Sequence, residues 1–409
     1  MPRWLDAYGD PFLIRSFNGD VVVGVRPEYI KTIFKGLPAN YSPFAAGAIQ
    51  PLTGEASLFA TQGTQHTRDR KLLMPPFHGD RMRAYAEVMQ TSAQGVFDGL
   101  CDAPESSFAR AAERISLAVI LRAVFGVTTP EDERTFGEAI LNFANAFHPT
   151  FSFMEFLQRP WFPPWRKFSA MKRRYSELMD GRIEHAKQTP GTEDILRMLV
   201  EARDEDGVAM TSDEIKSQLI TILFAGYETT AITMSWMIDD IWRRPEVLEK
   251  LRVEVDGLPD DAPAIAYTKL PYLDAVIKET LRLHPVVTEI LRKLNAPLQL
   301  GEHLLPEGKA VSASILLAHL DPERFPEPLE YRPDRFVERK YGPFDYLPFG
   351  GGHRRCIGAA FSSFEMQISM GLLARNYDVV LHDSAPPRPI RRNLALAPKS
   401  DIPVTLTRR

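Results

Sequence analysis

Helical periodicity dominates the pattern of hydrophobic and polar positions along this chain. It runs from about residue 80 to residue 283, whereas β-type alternation is confined to short runs such as residues 11–16 and 20–25. Residues 285–348 are crowded with prolines, which predicts an irregular segment. We see no repeat, low-complexity tract or linker. The pattern therefore predicts a mainly α fold with a smaller β-rich lobe, an α+β class.

One helix in this pattern is predicted to be unusually long. Residues 211–214 have the form of a capping box, and the helical pattern continues to about Arg243, before Pro245. About 30 residues of helix would measure roughly 45 Å. A membrane span is the rival interpretation because residues 220–237 are largely apolar, but Glu228 interrupts them and would be costly in lipid. We predict a helix that crosses a whole domain.

Composition and charge limit the partners and the cellular location that we expect for this protein. The chain has 409 residues, enough for a large core, and its formal net charge of −4 argues against generic nucleic-acid binding. Its two cysteines fit a reducing compartment with no disulfide framework. The N-terminus has neither a secretory signal nor an apolar stretch of about 20 residues. These features predict a cytoplasmic protein without a transmembrane anchor and without a nucleic-acid partner.

The strongest chemical signal lies around Cys356. Glycines 350–352 precede it, and residues 358–366 predict the start of a helix, whose positive end favours a thiolate. Glycine also lets backbone N–H groups approach the sulfur, as a sulfur that faces an iron requires. A buried structural cysteine and a nucleophile with a base recruited elsewhere in the fold stay open. Zinc is disfavoured, since Cys101 has no other ligand at zinc spacing.

The spacing Phe-x-x-Gly-x-Arg-x-Cys-x-Gly, formed by Phe349, Gly352, Arg354, Cys356 and Gly358, resembles the signature of the cytochrome P-450 family of haem-thiolate monooxygenases. The resemblance implies the cytochrome P-450 fold as a single large domain over residues 1–409. It also implies haem b (iron protoporphyrin IX) as cofactor, with Cys356 as the ligand of the iron. Family members usually carry several dozen residues before the segment matching residues 4–10, so a shortened N-terminus is a further expectation.

Two more segments support the resemblance. Glu279 and Arg282 lie at i and i+3 on a predicted short helix between two prolines, and residues 333–336 resemble the family's second element. An isolated Glu-x-x-Arg pair is common on solvated helices, where it adds only about 0.2–0.5 kcal/mol. The resemblance instead implies that Arg335 completes a buried network with Glu279 and Arg282, which is structural and not catalytic.

The long predicted helix carries a third match, residues 225–230. Gly226 in a helix interior costs about 1 kcal/mol relative to alanine, which the close approach of a ligand would explain. Thr229 can donate to the carbonyl of Ala225 and open a groove beside the haem. By the resemblance, Glu228 and Thr229 are the catalytic acid and alcohol that deliver protons during dioxygen chemistry, and Ala225 lines the cofactor. An ordinary buried threonine beside a paired glutamate is the alternative.

Residues 65–77 resemble the helix that binds a haem propionate in the family. His66 and Arg70, at i and i+4, share one face, and a planar guanidinium suits a carboxylate. The same resemblance makes Arg292 and Arg354 propionate ligands. For each arginine the alternative is a solvated surface charge. That alternative is our interpretation of two neighbouring cations, Arg68 and Lys71.

The expected partners follow from the resemblance as well. No reductase domain is fused to the chain, so dioxygen chemistry requires a separate electron donor. The family fold puts four basic residues on the face where an acidic ferredoxin or flavodoxin docks, although a merely solvated basic face is an equal alternative. They are His353, Arg355, Arg81 and Arg83.

A hydrophobic substrate is predicted from an aromatic segment, residues 143–165, which falls where the family has its substrate-access lid. Ordinary helix packing is expected to explain about half of its side chains. The segment contains Phe143, Phe147, Phe151, Phe153, Phe156, Trp161, Phe162 and Trp165, with Pro149, Pro160, Pro163 and Pro164. Further pocket candidates by family position are Phe44, Leu58, Phe59, Leu223, Phe224, Val287 and Leu396.

The sequence therefore predicts a monooxygenase that hydroxylates or epoxidises a hydrophobic small molecule with O2. Residues 71–85 look most like bacterial members that act on fatty acids, alkanes or terpenoids. One alternative is a haem-thiolate peroxygenase or peroxide-rearranging enzyme, although such relatives usually lose the acid and alcohol. Another is a haem-based sensor or carrier, which needs the thiolate but no proton relay.

Overall fold

The structure is a computed structural model that describes residues 5, 7–16, 19–44, 46–79, 81–147, 151, 155–188, 194–392 and 395–409. The chain divides into two compact units. Met1–Phe44, Met89–Ser116 and Glu228–Arg409 form the first unit, and Ala45–Val88 and Leu117–Tyr227 form the second. The single domain over residues 1–409 stays a prediction.

Helices make up most of the described chain, as the pattern predicts. In chain order they are α1 (Pro27–Lys35), α2 (Ala46–Thr53), α3 (Gly63–Leu73), α4 (Arg81–Cys101), α5 (Phe108–Ala123), α6 (Pro130–Ala146), α7 (Pro163–Gln188), α8 (Ile195–Glu201), α9 (Ser212–Trp242), α10 (Pro245–Asp256), α11 (Pro271–Leu283), α12 (Ile315–His319), α13 (Asp334–Glu338) and α14 (Ala359–Asn376).

The strands form a smaller part and belong to the first unit. They are β1 (Phe12–Ser16), β2 (Gly19–Gly24), β3 (Tyr41–Pro43), β4 (Ser106–Ser107), β5 (Glu289–Leu294), β6 (Leu298–Leu300), β7 (His303–Leu305), β8 (Ala310–Ser314), β9 (Tyr377–Leu381), β10 (Pro389–Arg392), β11 (Ala395–Pro398) and β12 (Pro403–Arg408). One sheet has the order β1-β2-β8-β5-β3, and a second has the order β4-β12-β9. The remaining pairs, β6-β7 and β10-β11, are hairpins. The two predicted N-terminal runs are confirmed as the antiparallel pair β1-β2.

The prediction that residues 285–348 are irregular is wrong for their first half, where β5 to β8 lie. All five residues of β8 are buried, so the strand shows none of the alternation that reveals a half-buried strand. β5 pairs with β8 in antiparallel register, from Glu289 opposite Ser314 to Lys293 opposite Ala310. The segment is irregular only beyond α12, apart from α13.

The long helix α9 begins with the predicted capping box. The Thr211 N–H donates to Glu214 Oε2 over 2.7 Å, and the Glu214 N–H donates to Thr211 Oγ1 over 3.2 Å. The helix has 31 residues and ends at Trp242, one residue before its predicted end. Among the described residues, no helix combines the length and the apolar character that a bilayer span requires.

A buried charge network joins α11 to the segment that follows α12, as predicted. Arg282 donates from Nε and Nη2 to the two carboxylate oxygens of Glu279, over 2.7 and 2.8 Å. Arg335 on α13 donates from Nε to Glu279 Oε1 over 3.0 Å. All three side chains are at most 3% exposed. Arg282 Nη1 also donates to the carbonyl oxygens of His319 and Pro328, so one guanidinium organises the chain that leads to Cys356.

An aromatic cluster packs α6 against α7 inside the second unit. Phe143 stacks on Phe168 and Tyr175, with ring centroids 5.5 and 5.1 Å apart. Phe151 contacts the Trp165 ring edge to face at 5.3 Å. These contacts confirm that packing explains part of the predicted lid. By contrast, Phe156 and Trp161 are 63% and 66% exposed, and two lid residues, Pro149 and Phe153, lie outside the described residues.

Candidate functional site

The loop before Cys356 is shaped by contact with α1. Gly350 and Gly352 have φ of +66° and +67°, a backbone region that favours glycine. A Cβ at Gly352 would lie 2.4 Å from the carbonyl oxygen of Phe34, and one at Gly351 would lie 2.2 Å from its ring. Gly351 and Gly352 are therefore required by packing against Phe34, a reason that the sequence alone did not reveal.

Hydrogen bonds fix both ends of this loop. The Leu347 N–H donates to Nε2 of the buried His319 over 3.0 Å, and the Cys356 N–H donates to the carbonyl of Phe349 over 3.0 Å. Burial, and secondarily the nearby Arg282, lower the pKa of His319 to about 3. The imidazole is therefore neutral, and its Nε2 is available as an acceptor. The buried network around Glu279 thus reaches the loop through His319.

Cys356 itself is exposed. Gly358 is the N-cap of the 18-residue α14, as predicted, so the cysteine lies two residues before the positive end of a long helix. Its exposure contradicts the interpretation as a buried structural cysteine. Within the described ranges, no group of three or more His, Cys, Asp and Glu side chains could hold a metal ion.

Two predicted propionate ligands lie near each other in the first unit. Arg292 is on β5, partly buried, and burial together with the positive charge of Arg354 lowers the pKa of Arg292 to about 10. Arg292 Nη1 donates to the carbonyl of Leu291 over 2.8 Å. No carboxylate of the described residues lies within 4.0 Å of the Arg292 guanidinium. Among the described residues this cation therefore has no carboxylate counterion, although a second cation is close.

The predicted acid lies on the part of α9 that belongs to the first unit. The side chain of Glu228 is 18% exposed, and its Oε1 lies 3.1 Å from Nε of Arg392. Burial raises the pKa of Glu228, whereas Arg392 lowers it. Two residues further, the Thr230 hydroxyl lies 3.0 Å from the hydroxyl of Ser362 on α14, so this turn of α9 packs against the helix that follows Cys356. The bond from Thr229 to Ala225 stays a prediction.

Gly226 has a packing reason in addition to the predicted ligand approach. A Cβ at this position would lie 2.6 Å from Cδ1 of Ile120 on α5. The missing side chain lets α5 and α9 approach each other in the second unit. Ala225 beside it is exposed, whereas Leu223 is fully buried and therefore packs in the core.

The predicted propionate helix is α3, in the second unit. His66 is 3% exposed, and Arg70 one turn further is partly buried. The interpretation of Arg68 as a solvated charge is wrong. Its guanidinium lies 2.6 Å from Asp204 and 3.0 Å from Glu214, and its side chain is only 22% exposed. Lys71 is exposed and paired with Glu205, as a surface charge should be.

Comparison with known proteins now decides the family. The sequence profile of Cytochrome P450 matches residues 5–405 of the chain. The chain belongs to the cytochrome P450 family. Cytochrome P450 138 of Mycobacterium tuberculosis is 31% identical to this P450, and the alignment covers 100% of this chain and 91% of that protein. Cytochrome P450 135B1 of the same species is 32% identical over 96% of this chain and 83% of its own length.

Solved structures agree with the family. A retinoic acid-bound cyanobacterial CYP120A1 superimposes with a TM-score of 0.87 at 25% identity, and the alignment covers 100% of this P450 and 94% of that chain. The structure of a cytochrome P450 named CYP102L1 gives a TM-score of 0.86, which at 23% identity shows the fold alone. The predicted fold is therefore confirmed. As a cytochrome P450, the protein is a haem-dependent monooxygenase.

The residues of the first unit fit the haem that the family implies. An exposed cysteine before a helix N-terminus is suited to be an iron ligand, and the partly buried Arg292, with no carboxylate of the described residues within 4.0 Å, is suited to a propionate. The individual assignments of Cys356, Arg292, Arg354, Phe349, Gly352, Gly358, His66, Arg70 and Ala225 to the cofactor stay predictions.

Three charged residues of the first unit, two of them near Glu228, carry no sequence motif and were not predicted. Arg392 on β10 pairs with Glu228 and, through Nη1 at 2.9 Å, with Glu113 on α5. Glu289 on β5 accepts from the hydroxyls of Ser312 and Ser314, over 2.5 and 2.6 Å. These pairs join residues far apart in sequence, so a local pattern could not have indicated them.

Proposed function

We propose that this P450 hydroxylates or epoxidises a hydrophobic small molecule, with O2 and with electrons from a separate redox partner. The half-buried Glu228 beside Thr229 on α9 is the observation that carries the proposal. Burial raises the pKa of Glu228 above its usual value, which brings the side chain closer to exchanging a proton under physiological conditions than an exposed glutamate would be. Relatives that use peroxide usually lack this pair.

A thiolate-bound haem supplies the oxygen activation when bound, since the thiolate donates electron density that favours O–O cleavage. The protein's own residues then have separate tasks. Cys356 provides the sulfur, and the dipole of α14 stabilises its negative charge. Glu228 takes protons from solvent, and Thr229 passes them on along α9. His66, Arg70, Arg292 and Arg354 hold the carboxylates of haem b.

The proposed substrate class is a fatty acid, an alkane or a terpenoid-like molecule. Apolar pocket candidates support it, including the 40% exposed Phe59 and the 39% exposed Val287. The exposed Phe156 and Trp161 would cover an apolar guest. The retinoic acid bound by the cyanobacterial CYP120A1 is such a molecule, an apolar chain with a carboxylate. We include it among the candidate substrates.

The electron donor we propose is a ferredoxin or a flavodoxin. Such donors carry acidic surfaces, and Arg355 beside Cys356 is exposed, so a basic docking face is available there. A cytoplasmic location would suit such a donor and stays a prediction.

The test uses the purified, haem-loaded protein with a surrogate ferredoxin, its reductase and NADPH. Lauric acid, n-octane, limonene and retinoic acid are first screened for a shift of the haem absorption band. Molecules that bind are then incubated under isotopically labelled O2. We expect one labelled oxygen atom per product molecule, formed only when the reductase system is present.

Two results would contradict the proposal and point to the alternatives. Turnover with hydrogen peroxide but not with the reductase system would indicate a peroxygenase or a peroxide-rearranging enzyme. Reduced, oxygen-binding protein that forms no product from any molecule that binds would indicate a sensor or carrier.

A further inference from the structure

The β10-β11 hairpin packs against α9 close to Glu228. Ala395 and Ala397 of β11 form a buried apolar cluster with Ile232 and Trp236 of α9. The Trp236 indole N–H also donates to the carbonyl of Leu396 over 3.3 Å. These contacts fix the hairpin without help from its charged side chains. Its arginines are therefore not required to hold it in place.

Two adjacent arginines of β10 point to different carboxylates. Neighbouring residues of a strand project to opposite faces. Arg391 acts on Glu289, whereas Arg392 pairs with Glu228 at 3.1 Å and with Glu113 at 2.9 Å. One guanidinium thus connects two carboxylates on α9 and α5. Arg391 is therefore a neighbouring charge of the same kind that can be changed for comparison.

The three groups differ in their access to water. The side chain of Arg392 is 50% exposed and that of Glu113 is 35% exposed, but that of Glu228 is only 18% exposed. A cavity of about 470 Å³ between α5, α9 and the hairpin is lined by two of them, Arg392 and Glu113. Its other charged lining residues are Arg110, Lys399 and Asp401. Arg110 is paired with Asp401 at 3.3 Å. The cavity therefore lets water reach the ion pair that holds Glu228.

We propose that Arg392 is the positioning residue of Glu228, and that Glu113 competes with Glu228 for the same guanidinium. Arg392 holds the Glu228 carboxylate between the water-accessible cavity and the interior side of α9. When Glu113 takes a larger share of Arg392, Glu228 is released toward its protonated form. The inference rests on the proton-delivery role of Glu228 that is part of the proposed function.

Arg392 and Glu113 have opposite effects on the pKa of Glu228. Burial raises the pKa of Glu228, Arg392 lowers it, and Glu113 raises it. Removing the guanidinium should therefore move the pKa of Glu228 up, and removing the competing carboxylate should move it down. Two variants that each remove one charge should therefore shift the pKa of Glu228 in opposite directions.

The experiment compares Arg392→Gln, Glu113→Gln and Arg392→Lys in the haem-loaded protein. The carboxylic acid band of Glu228 is followed by infrared difference spectroscopy against pH and identified by its loss in Glu228→Gln. We expect the midpoint to rise in Arg392→Gln, fall in Glu113→Gln and stay near the original in Arg392→Lys. Arg391→Gln, on the same hairpin, is the control and should leave the midpoint unchanged.

A second readout links the titration to proton supply. With NADPH and the surrogate reductase system, hydrogen peroxide released per NADPH is measured against pH. We expect its pH profile to move with the Glu228 midpoint, upward in Arg392→Gln and downward in Glu113→Gln. An unchanged Glu228 midpoint in both variants would overturn the positioning role of Arg392. Midpoints that shift while the peroxide profile stays fixed would uphold that role and overturn proton delivery by Glu228.

Discussion

Two groups of arginines in the first unit differ in whether a carboxylate lies next to them. Arg282 and Arg335 are almost fully buried, and each donates to Glu279, which is also inaccessible to water. Arg292 is partly buried near a second cation, Arg354, and no carboxylate of the described residues lies within 4.0 Å of it.

The presence or absence of a carboxylate partner distinguishes arginines that stabilise the fold from arginines that are suited to bind a ligand. A buried guanidinium with a carboxylate partner is balanced within the protein, so the network can hold α11 and α13 together. Two nearby cations repel each other unless an anion joins them. We therefore predict that the Arg292 region binds an anion, and a haem propionate is the anion that the family supplies.

The largest effect should come from breaking the balanced network. Glu279→Gln would leave Arg282 and Arg335 buried without their counterion, which costs about 3–5 kcal/mol in comparable pairs. We expect a large drop in the free energy of unfolding, measured by urea denaturation. Glu338→Gln removes the partner of the solvent-accessible Arg332 and serves as control, with little expected change. A small effect of Glu279→Gln would contradict the structural role.

Glu365 on α14 extends the comparison, since it is a buried acid with no cation of the described residues within 4.0 Å. Burial raises its pKa to about 7, and its Oε1 has no hydrogen-bond partner among the described residues. The folded protein therefore binds a proton between the unfolded pKa of 4.5 and about pH 7, where the unfolded chain has released it. Stability should fall as pH rises through this window.

Glu365→Gln removes that titration. At about pH 8 the variant should be more stable than the original protein by about 3 kcal/mol, and below about pH 4 the two should converge. Urea denaturation at several pH values measures the difference. If both proteins lose stability equally as pH rises, Glu365 is not the buried neutral acid that the structure indicates.

Replacing Arg292 should weaken haem binding without lowering the stability of the apoprotein, the opposite of what we expect for Glu279. Arg292→Met removes a charge-assisted bond to the cofactor, worth about 1.5–3 kcal/mol, so haem release should accelerate about 10-fold to 100-fold. Haem transfer to excess apomyoglobin measures the rate. The apoprotein should be no less stable than before, since a charge without a counterion has been removed. Arg282→Met is the comparison and should destabilise the apoprotein itself.

A clear loss of apoprotein stability in Arg292→Met would show that Arg292 stabilises the fold as Arg282 and Arg335 do, which would contradict the comparison. Unchanged haem release would equally contradict the assignment of Arg292 to the cofactor. Either result would leave the Cys356 loop as the main support for the site.

The sequence predicted what depends on short spacing. The Thr211–Glu214 capping box and the helix after Cys356 follow from residues within a few positions of one another, so their geometry could be expected. The Glu279–Arg282 pair was also correct, although its burial came from the resemblance to the family and not from the spacing. The mainly helical class followed from periodicity over long segments.

What the sequence could not predict depends on contacts between distant residues. The fully buried strand β8 has no alternation to reveal it, and the ion pairs of Arg68 and Arg392 join separate elements. Besides the predicted ligand and sulfur, Gly226 and Gly351 have a packing reason, since Ile120 and Phe34 occupy the space that their side chains would take. Such reasons become visible only when the partners are in place.

The central claim is that Cys356 is the thiolate ligand of the haem iron, and the carbon monoxide difference spectrum of the reduced, haem-loaded protein tests it most directly. We expect the red-shifted Soret band of a thiolate-bound haem, retained in the control Cys101→Ser. The unshifted band typical of histidine-bound haem, in protein that is otherwise folded, would mean that the thiolate is absent or protonated and would contradict the account.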